Sequence, residues 1–446
     1  MVNRPYSLSF LTDGPVRRLA VFTLATGLAV TGVAGPAAGR LIRPTSFGPD
    51  RITADLFGTH HWGLGQPEPR GWPQAPIGAV RLWDNGVSWR EIETAPGTFD
   101  WSRTDALIAQ ARSHGASVLL VLGQTPQFYS SRPEADGAYG PGSTAMPASQ
   151  ADWARYVTAV ARRNVEVWGG GVELQVWNEA NVVQYWTGTP QEMALLTRWT
   201  REALRAAGST TRLVAPALAT RLTSQRTWVD QFYAQRIQGR GPDQYVDVLS
   251  FQLYPQESGD PEEAIGELTS VRRILDRRGV ADKPIYATEI NYGLHSGSGI
   301  GDVPQPVPDS TQQSNVARTF LLAAQSGVTR VYWYSWDLQN RSNTPMVLAD
   351  NVSLTAAGRT FGVIRSWLVG TVPRGCTKTS TGTHTCTFQG AGGSTRRAVW
   401  NPVGRTQVDV PRHTTAYETV DGVTHSVRTG DRVSIGEVPV LLYSRR

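Results

Sequence analysis

The chain has 446 residues, 40 % hydrophobic and 18 % charged, which excludes intrinsic disorder and leaves room for two or three domains at roughly 100–200 residues each. Its 45 glycines follow no three-residue period, which excludes a collagen-like fibre, and its 15 tryptophans outnumber its 14 tyrosines and 11 phenylalanines. The net charge of +6 is carried almost wholly by arginine, since Lys283 and Lys378 are the only lysines, and the Arg162–Arg163, Arg272–Arg273 and Arg277–Arg278 pairs are scattered rather than clustered, so no nucleic-acid partner is expected.

The amino terminus places Arg17 and Arg18 before the apolar run 19–34 and the small residues 35–39. A basic pair, a mid-length apolar run and small residues are the three parts of a secretory signal, and the run is shorter than the roughly 20 residues of a spanning helix. Residues 1–39 are therefore expected to export the chain, with cleavage near Ala37 or Ala38 and an uncleaved anchor as the alternative. No later stretch approaches membrane length. The mature protein is expected to be soluble, secreted or cell-surface, without a membrane span, and monomeric.

From about residue 51 to Trp367 one theme repeats: a short, β-branched apolar run, then a longer amphipathic stretch. The predicted strands are 56–59, 79–82, 117–122, 172–177, 212–216, 246–253, 284–287 and 329–334. Predicted helices at 105–114, 149–167, 190–207, 261–278 and 314–326 lie between them, with another near Thr227. Strands alternating with helices imply parallel βα units, and eight of them imply a (β/α)₈ TIM barrel spanning 47–367. An open doubly wound sheet is the rival, but no glycine-rich dinucleotide loop follows the first strand.

After Gly370 the pattern changes to short alternating runs at 385–388, 398–400, 407–410, 416–419, 432–435 and 438–443. Residues 370–446 thus read as a small all-β sandwich, with the residues from Phe47 packing beside its last strand. Cys376 and Cys386, the only cysteines, flank a hairpin-like stretch. In an exported protein they are expected to form a disulfide, and with His384 alone nearby they cannot complete a zinc site.

In a barrel of this kind the chemistry lies where strands end. After the fourth strand comes Gln175-Val-Trp-Asn-Glu-Ala-Asn181, and the seventh reads Ile285-Tyr-Ala-Thr-Glu-Ile-Asn-Tyr292. Each puts a glutamate, Glu179 or Glu289, at the loop face, and strands four and seven stand across one cavity. Two carboxyls facing each other across a sugar, one protonated and one ionised, are what glycosidic cleavage needs.

The segment Val80-Arg-Leu-Trp-Asp-Asn-Gly-Val-Ser-Trp-Arg-Glu-Ile-Glu-Thr-Ala-Pro-Gly-Thr-Phe-Asp-Trp101, the Asn178-Glu179 pair and Glu289 together resemble clan A glycoside hydrolases of the family 39-like type, across roughly residues 57–336. The resemblance implies a retaining hydrolase of β-type linkages in an extracellular polysaccharide or glycan. Glu179 would be its acid/base and Glu289 its nucleophile, about 5–5.5 Å apart. It further implies that Arg81 holds Glu289 ionised, that Asn178 donates to the sugar 2-hydroxyl, that Tyr254 steadies Glu289 and that Trp336 floors the subsite of the attacked sugar. One of His60 and His61 would contact hydroxyls, a one-residue phase deciding which. Gln124 or Gln127 stands where the clan often has a histidine, at the end of the third strand. Glu173 is expected to be structural near the barrel floor, and Glu91, Glu93 and Glu257 to be surface carboxylates. Trp83, Trp89 and Trp101 are read as core or loop packing, whereas Tyr185 and Trp186 suit the cleft and packing equally. No residue set has metal spacing, so no metal and no cofactor are expected. A non-catalytic carbohydrate-binding protein and a transglycosylase are the alternatives. The loops 133–147 and 295–308 are expected to decide endo against exo action.

Overall fold

The computed structural model describes residues 51–256, 259–280, 282–293, 306–337 and 342–444. The export signal, Glu257 and most of the 295–308 loop therefore lie outside the described residues.

Strands β1 (Phe57–Thr59) and β2 (Ala79–Leu82) pair in parallel. Ser88 and Glu91 form a capping box that opens the single-turn helix α1 (Trp89–Ile92), satisfying helix-end N–H groups with side chains. A short hairpin of β3 (Glu93–Ala95) and β4 (Thr98–Phe99) follows, then α2 (Ser102–Ser113) and β5 (Ser117–Val121). Ser149 caps α3 (Gln150–Glu166), which leads to β6 (Glu173–Gln175). Thr189 caps α4 (Pro190–Ala206), whose proline sits in the first turn, where its missing N–H costs nothing.

Strands β7 (Leu213–Val214) and β8 (Leu218–Ala219) precede α5 (Thr223–Ala234) and β9 (Leu249–Gln252). Asp260 caps α6 (Pro261–Arg278), and Gly279 ends it in the left-handed conformation that glycine adopts without strain (φ 64°). Then come β10 (Ile285–Ile290), α7 (Asp309–Gln325), β11 (Val328–Trp333) and α8 (Ala356–Leu368).

The parallel sheet has the order β7-β6-β5-β2-β1-β11-β10-β9-β8. Its two ends, β7 and β8, are pieces of one interrupted strand, and a parallel bridge between Val214 of β7 and Val248, the residue before β9, closes the curled sheet as a barrel. The predicted strand 212–216 thus covers only the first half of the fifth stave. Helices α1 and α8 were not foreseen, and α5 starts four residues before Thr227 because its first turn, Thr-Ser-Gln-Arg, carries no apolar signal.

Two buried glutamates show how the frame is held. On the barrel floor Glu173 accepts from Arg330 Nη1 (2.9 Å), Tyr286 Oη (2.8 Å) and Arg212 Nη1 (3.2 Å), in keeping with a structural role. Glu93, expected at the surface, is fully buried instead. It accepts from Trp89 Nε1 (2.6 Å), the Gly97 N–H (2.8 Å), Tyr129 Oη (3.1 Å) and Arg155 Nη2 (3.3 Å), and such a donor set makes a buried carboxylate tolerable. Around it Trp89 stacks on Tyr129 and Tyr156 and meets Trp153 edge-on.

The carboxyl-terminal part comprises β12 (Val372–Lys378), β13 (His384–Gln389), β14 (Thr395–Trp400), β15 (Thr406–Asp409), β16 (Ala416–Thr419), β17 (Thr424–Ser426), β18 (Arg432–Ile435) and β19 (Val440–Tyr443). Six of these form an antiparallel sheet, β12-β13-β14-β19-β16-β17, and β15 pairs with β18. Val399, Val410, Val433, Ile435, Val440 and Leu442 make the apolar layer between them. Cys376 and Cys386 face each other across β12 and β13 and are bonded as a disulfide.

Both edges of β19 are taken, by β14 and β16, and residues 47–50, expected beside it, lie outside the described residues. Ile52 pairs with Gly370 and Thr371, where the two parts of the chain join. Helix α7 is the shared wall: Ser314 Oγ donates to the Glu437 carbonyl (2.9 Å), Gln325 Nε2 donates to that of Thr387 (2.7 Å), and Trp400 Nε1 reaches Glu262 Oε1 on α6 (2.8 Å).

Candidate active site

At the carboxyl ends of the barrel strands lies a cleft of about 180 Å³. The end of β2 contributes Trp83 and Asp84 to its lining, the loop after β5 contributes Tyr139, and the segment after β6 contributes Asn178, Glu179 and Tyr185. Tyr254 after β9, Glu289 on β10 and Tyr334 after β11 complete it. The expected glutamate pair therefore opens onto one hollow. Glu289 sits where the register of β10 against β9 shifts, an irregularity of the kind that re-aims a side chain beside a site. Glu179 has its backbone in the left-handed region (φ 45°), sparsely populated for any residue with a Cβ.

Beneath the cleft Arg81 is wholly buried and spends every nitrogen. Nε donates to Gln175 Oε1 (2.8 Å), Nη2 to Asn178 Oδ1 (2.8 Å), and Nη1 to Glu289 Oε1 (2.8 Å) with His60 Nε2 at 3.2 Å. Tyr254 Oη donates to the second carboxyl oxygen, Glu289 Oε2 (2.9 Å). Asn178 Oδ1 also accepts from Gln252 Nε2 (3.2 Å), so its Nδ2 amide is the end left to donate. Gln175 Nε2 binds Ser250 Oγ (2.7 Å), which in turn meets Thr288 Oγ1 (2.9 Å), a polar layer beneath the guanidinium that holds it rigid.

This arrangement separates the two carboxyls electrostatically. Burial pushes both upward. At Glu289 the Arg81 guanidinium and the Tyr254 hydroxyl oppose that rise. At Glu179 burial and then the charge of Glu289 push the pKa well above the usual carboxylate range, against the weaker pull of Arg81 and Arg221. Glu289 therefore ionises first and Glu179 keeps its proton, by a mechanism that joins desolvation to like-charge repulsion.

The remaining expected residues fall differently. His60 points inward: its Nε2 lies against Arg81 and the Thr288 carbonyl, its ring meets Tyr334 edge-on, and burial and then Arg81 hold it well below its ordinary pKa, so it is neutral. His61 takes the opposite phase. It bonds the Arg70 carbonyl (3.0 Å) and pairs with Asp337 (3.3 Å), away from the cleft lining. Trp336 is buried against Phe361, and Tyr334, two residues earlier, is the aromatic of this strand that faces the cleft. Gln124 is buried with φ 57°, its carbonyl accepting from the Arg90 N–H, and Gln127 binds the Pro133 carbonyl outside the cleft.

Asp84, Tyr139 and Tyr334 escaped the sequence reading. Asp84 and Tyr334 follow strand ends directly, which is the signal that finds them. Tyr139 comes from the 133–147 loop and is placed only by tertiary contacts, with Trp83 Nε1 donating to its hydroxyl (3.1 Å). Trp83, read as packing, is buried and lines the cleft as well.

A closed parallel barrel with two glutamates in unlike protonation states at its carboxyl face defines the class, a glycosidase. Residues 150–361 match the family model of the glycosyl hydrolase catalytic core. Among solved structures, the fold is similar to a family 39 glycoside hydrolase from Bacteroides cellulosilyticus WH2 (TM-score 0.65, 14 % identity, covering 88 % of this chain and 81 % of that one). It is also similar to a family 39 β-xylosidase from Caulobacter crescentus (TM-score 0.62, 14 % identity, 91 % and 98 %) and to a glucosidase from Croceicoccus marinus (TM-score 0.61, 16 % identity, 90 % and 97 %). No curated protein sequence matches the chain. The neighbours are likenesses of fold. The catalytic-core match bears out the glycosidase class.

Proposed function

We propose that the protein is an exported retaining glycoside hydrolase that cleaves β-linked sugars of an extracellular glycan by double displacement. Glu179 protonates the leaving oxygen while Glu289 attacks the anomeric carbon. Glu179 then deprotonates the water that releases the covalent glycosyl intermediate. Arg81 and Tyr254 keep Glu289 ionised, and the Asn178 amide meets the sugar 2-hydroxyl. The observation that carries this reading is the asymmetric solvation of the pair: both oxygens of Glu289 have donors, from Arg81 and Tyr254, while burial and the charge of Glu289 keep Glu179 protonated.

The β-type linkage is carried over from the Caulobacter crescentus β-xylosidase. Export is supported by the basic-then-apolar start of the chain and by the Cys376–Cys386 disulfide. Among the described residues, no helix is long and apolar enough to cross a membrane.

The test is azide rescue of Glu179→Ala and Glu289→Ala on aryl β-glycosides with activated leaving groups. Azide should yield the β-glycosyl azide from the first variant and the α-glycosyl azide from the second. Unimpaired hydrolysis of poor leaving groups by either variant would refute the assignment.

A further inference from the structure

The two-step reaction leaves one side of the cleft without a role. Trp83 from the end of β2, Tyr139 from the loop after β5 and Tyr185 from the segment after β6 all line it. Their rings form a run: Trp83 meets Tyr139 edge-on at 5.6 Å, and Tyr139 lies beside Tyr185 at 5.9 Å, tilted by 37°. This wall stands on the side of Glu179. The Val182 N–H donates to the Glu179 carbonyl (2.9 Å) and the Tyr185 N–H to that of Val182 (2.9 Å), so Tyr185 and the acid share consecutive turns of backbone. The 133–147 loop is tied to the same segment on both sides of Tyr139. The Ala138 N–H donates to the Gln184 carbonyl (3.3 Å), the Thr187 N–H donates to the Thr144 carbonyl (2.9 Å), and Arg132 Nη1 donates to the Thr187 carbonyl (2.7 Å). The Tyr139 hydroxyl accepts from Trp83 Nε1 (3.1 Å), and among the described residues no acceptor takes its own proton. Burial, and then Tyr185 and Asp84, hold this phenol well above its ordinary pKa, so it keeps that proton.

A phenol whose oxygen is already used as an acceptor, set between two further aromatic rings, is ready to donate to a ligand whose apolar C–H face those rings cover. The general acid of a glycosidase lies beside the leaving oxygen, so the Glu179 side of the cleft is the side of the unit that departs. We propose that Trp83, Tyr139 and Tyr185 form the subsite of the leaving unit, that this unit is itself a sugar ring, and that the Tyr139 hydroxyl donates to one of its oxygens. The proposal rests on the glycosidase reading and names the class of leaving group. A neighbouring sugar of a glycan brings both a C–H face for the rings and oxygens for the hydroxyl, whereas an alkyl alcohol offers the hydroxyl nothing beyond the glycosidic oxygen.

The test uses the full chain and two substrates with the same glycosyl unit, glucose and xylose in turn. One is the β-linked disaccharide, whose leaving group fills the subsite; the other is the β-glycosyl fluoride, whose leaving group is a single atom. The readout is the ratio of kcat/KM on the two, which the folded fraction of a variant does not affect. A hydrogen bond between neutral groups is worth about 2–10-fold, so Tyr139→Phe should lower the ratio of disaccharide to fluoride by that factor. Tyr139→Ala, which also removes a ring, should lower it further. An equal loss on both substrates would reduce Tyr139 to packing and overturn the proposal. Binding of the uncleavable S-linked disaccharide and of the methyl thioglycoside, followed by tryptophan fluorescence, separates this outcome from failure of the hydrolase reading. If wild type cleaves neither substrate, weaker binding of the S-linked disaccharide alone by Tyr139→Phe supports the subsite while sinking the hydrolase reading, and equal weakening of both ligands overturns the subsite.

Discussion

Removing the Tyr254 hydroxyl isolates one of the donors that favour the ionised form of Glu289. Tyr254 Oη donates to Glu289 Oε2 at 2.9 Å, and Arg81 holds the other oxygen at 2.8 Å. A hydrogen bond to a buried charged group is worth about 1.5–3 kcal/mol, and one pKa unit corresponds to about 1.4 kcal/mol. Tyr254→Phe should therefore raise the pKa of Glu289 by about 1–2 units. The donor favours the ionised form, so its loss favours the protonated one. The attacking form is the ionised one, so activity disappears as pH falls through this pKa, and the acid limb of kcat/KM should move to higher pH by the same amount. The assay is a pH series on an aryl glycoside with a good leaving group, which makes little demand on Glu179 as acid. An acid limb that stays in place while the plateau falls would refute the reasoning, because the hydroxyl would then act on something other than the charge of Glu289.

Glu173→Ala removes the main partner of the buried Arg330 on the barrel floor and should lower stability by about 3–5 kcal/mol in denaturant unfolding, with KM unchanged in the folded fraction. Replacing Cys376 and Cys386 together by serine opens a loop with a sequence separation of 10 and should cost about 2–3 kcal/mol, read as a lower unfolding midpoint that reductant no longer changes. His384 is pushed down to about 4, by burial first and then by Lys378 and Arg318. Its contribution to stability is complete above its unfolded pKa of about 6.5 and is lost as pH falls from there toward 4, so His384→Gln should flatten that part of the stability profile. Glu179→Gly relieves a left-handed backbone (φ 45°) that costs about 1–3 kcal/mol and removes a desolvated carboxyl, so its unfolding temperature should rise while turnover of poor leaving groups falls at least about 100-fold.

The barrel was legible because its strands lie in short, mostly apolar runs buried on both faces, a signal that survives without knowledge of tertiary contacts. Strand β2 (Ala79–Leu82) and helix α6 (Pro261–Arg278) fell on their expected bounds, the second because Asp260, Pro261 and Gly279 punctuate it. The fifth stave was half hidden, since its interruption between Val214 and Leu218 leaves two pieces each too short to show a period. Strand-end chemistry led to Arg81, Asn178, Glu179, Tyr254 and Glu289, which the fold brings together. It left open which of His60 and His61 faces inward, and it did not place Trp336, which packs on Phe361, because the chain leaves the strand there and two-residue alternation no longer says where a side chain points. Glu93 was misplaced for a related reason: its donors Tyr129 and Arg155 come from distant segments that only the fold assembles.

What separates the two cleft glutamates from the structural ones is how completely each is solvated by the protein. Glu93 has four donors and Glu173 is ringed by Arg330, Arg212 and Tyr286, so both are satisfied as ions and their burial holds the frame together. Glu289 has one donor on each oxygen, enough to stay charged yet open to the cleft. Glu179 receives no hydrogen bond at its carboxyl among the described residues, sits on strained backbone and lies within reach of the charge of Glu289. A half-buried carboxyl that lines the cleft on left-handed backbone is an arrangement that packing alone does not explain. The barrel tolerates it because its neighbours, Trp177 and Ala180, are locked, with Ala217 donating to the Trp177 carbonyl (2.9 Å) and Ala180 donating to that of Ala217 (3.1 Å). The left-handed backbone of Glu179 is thus held between fixed neighbours, at the carboxyl proposed above to move a proton.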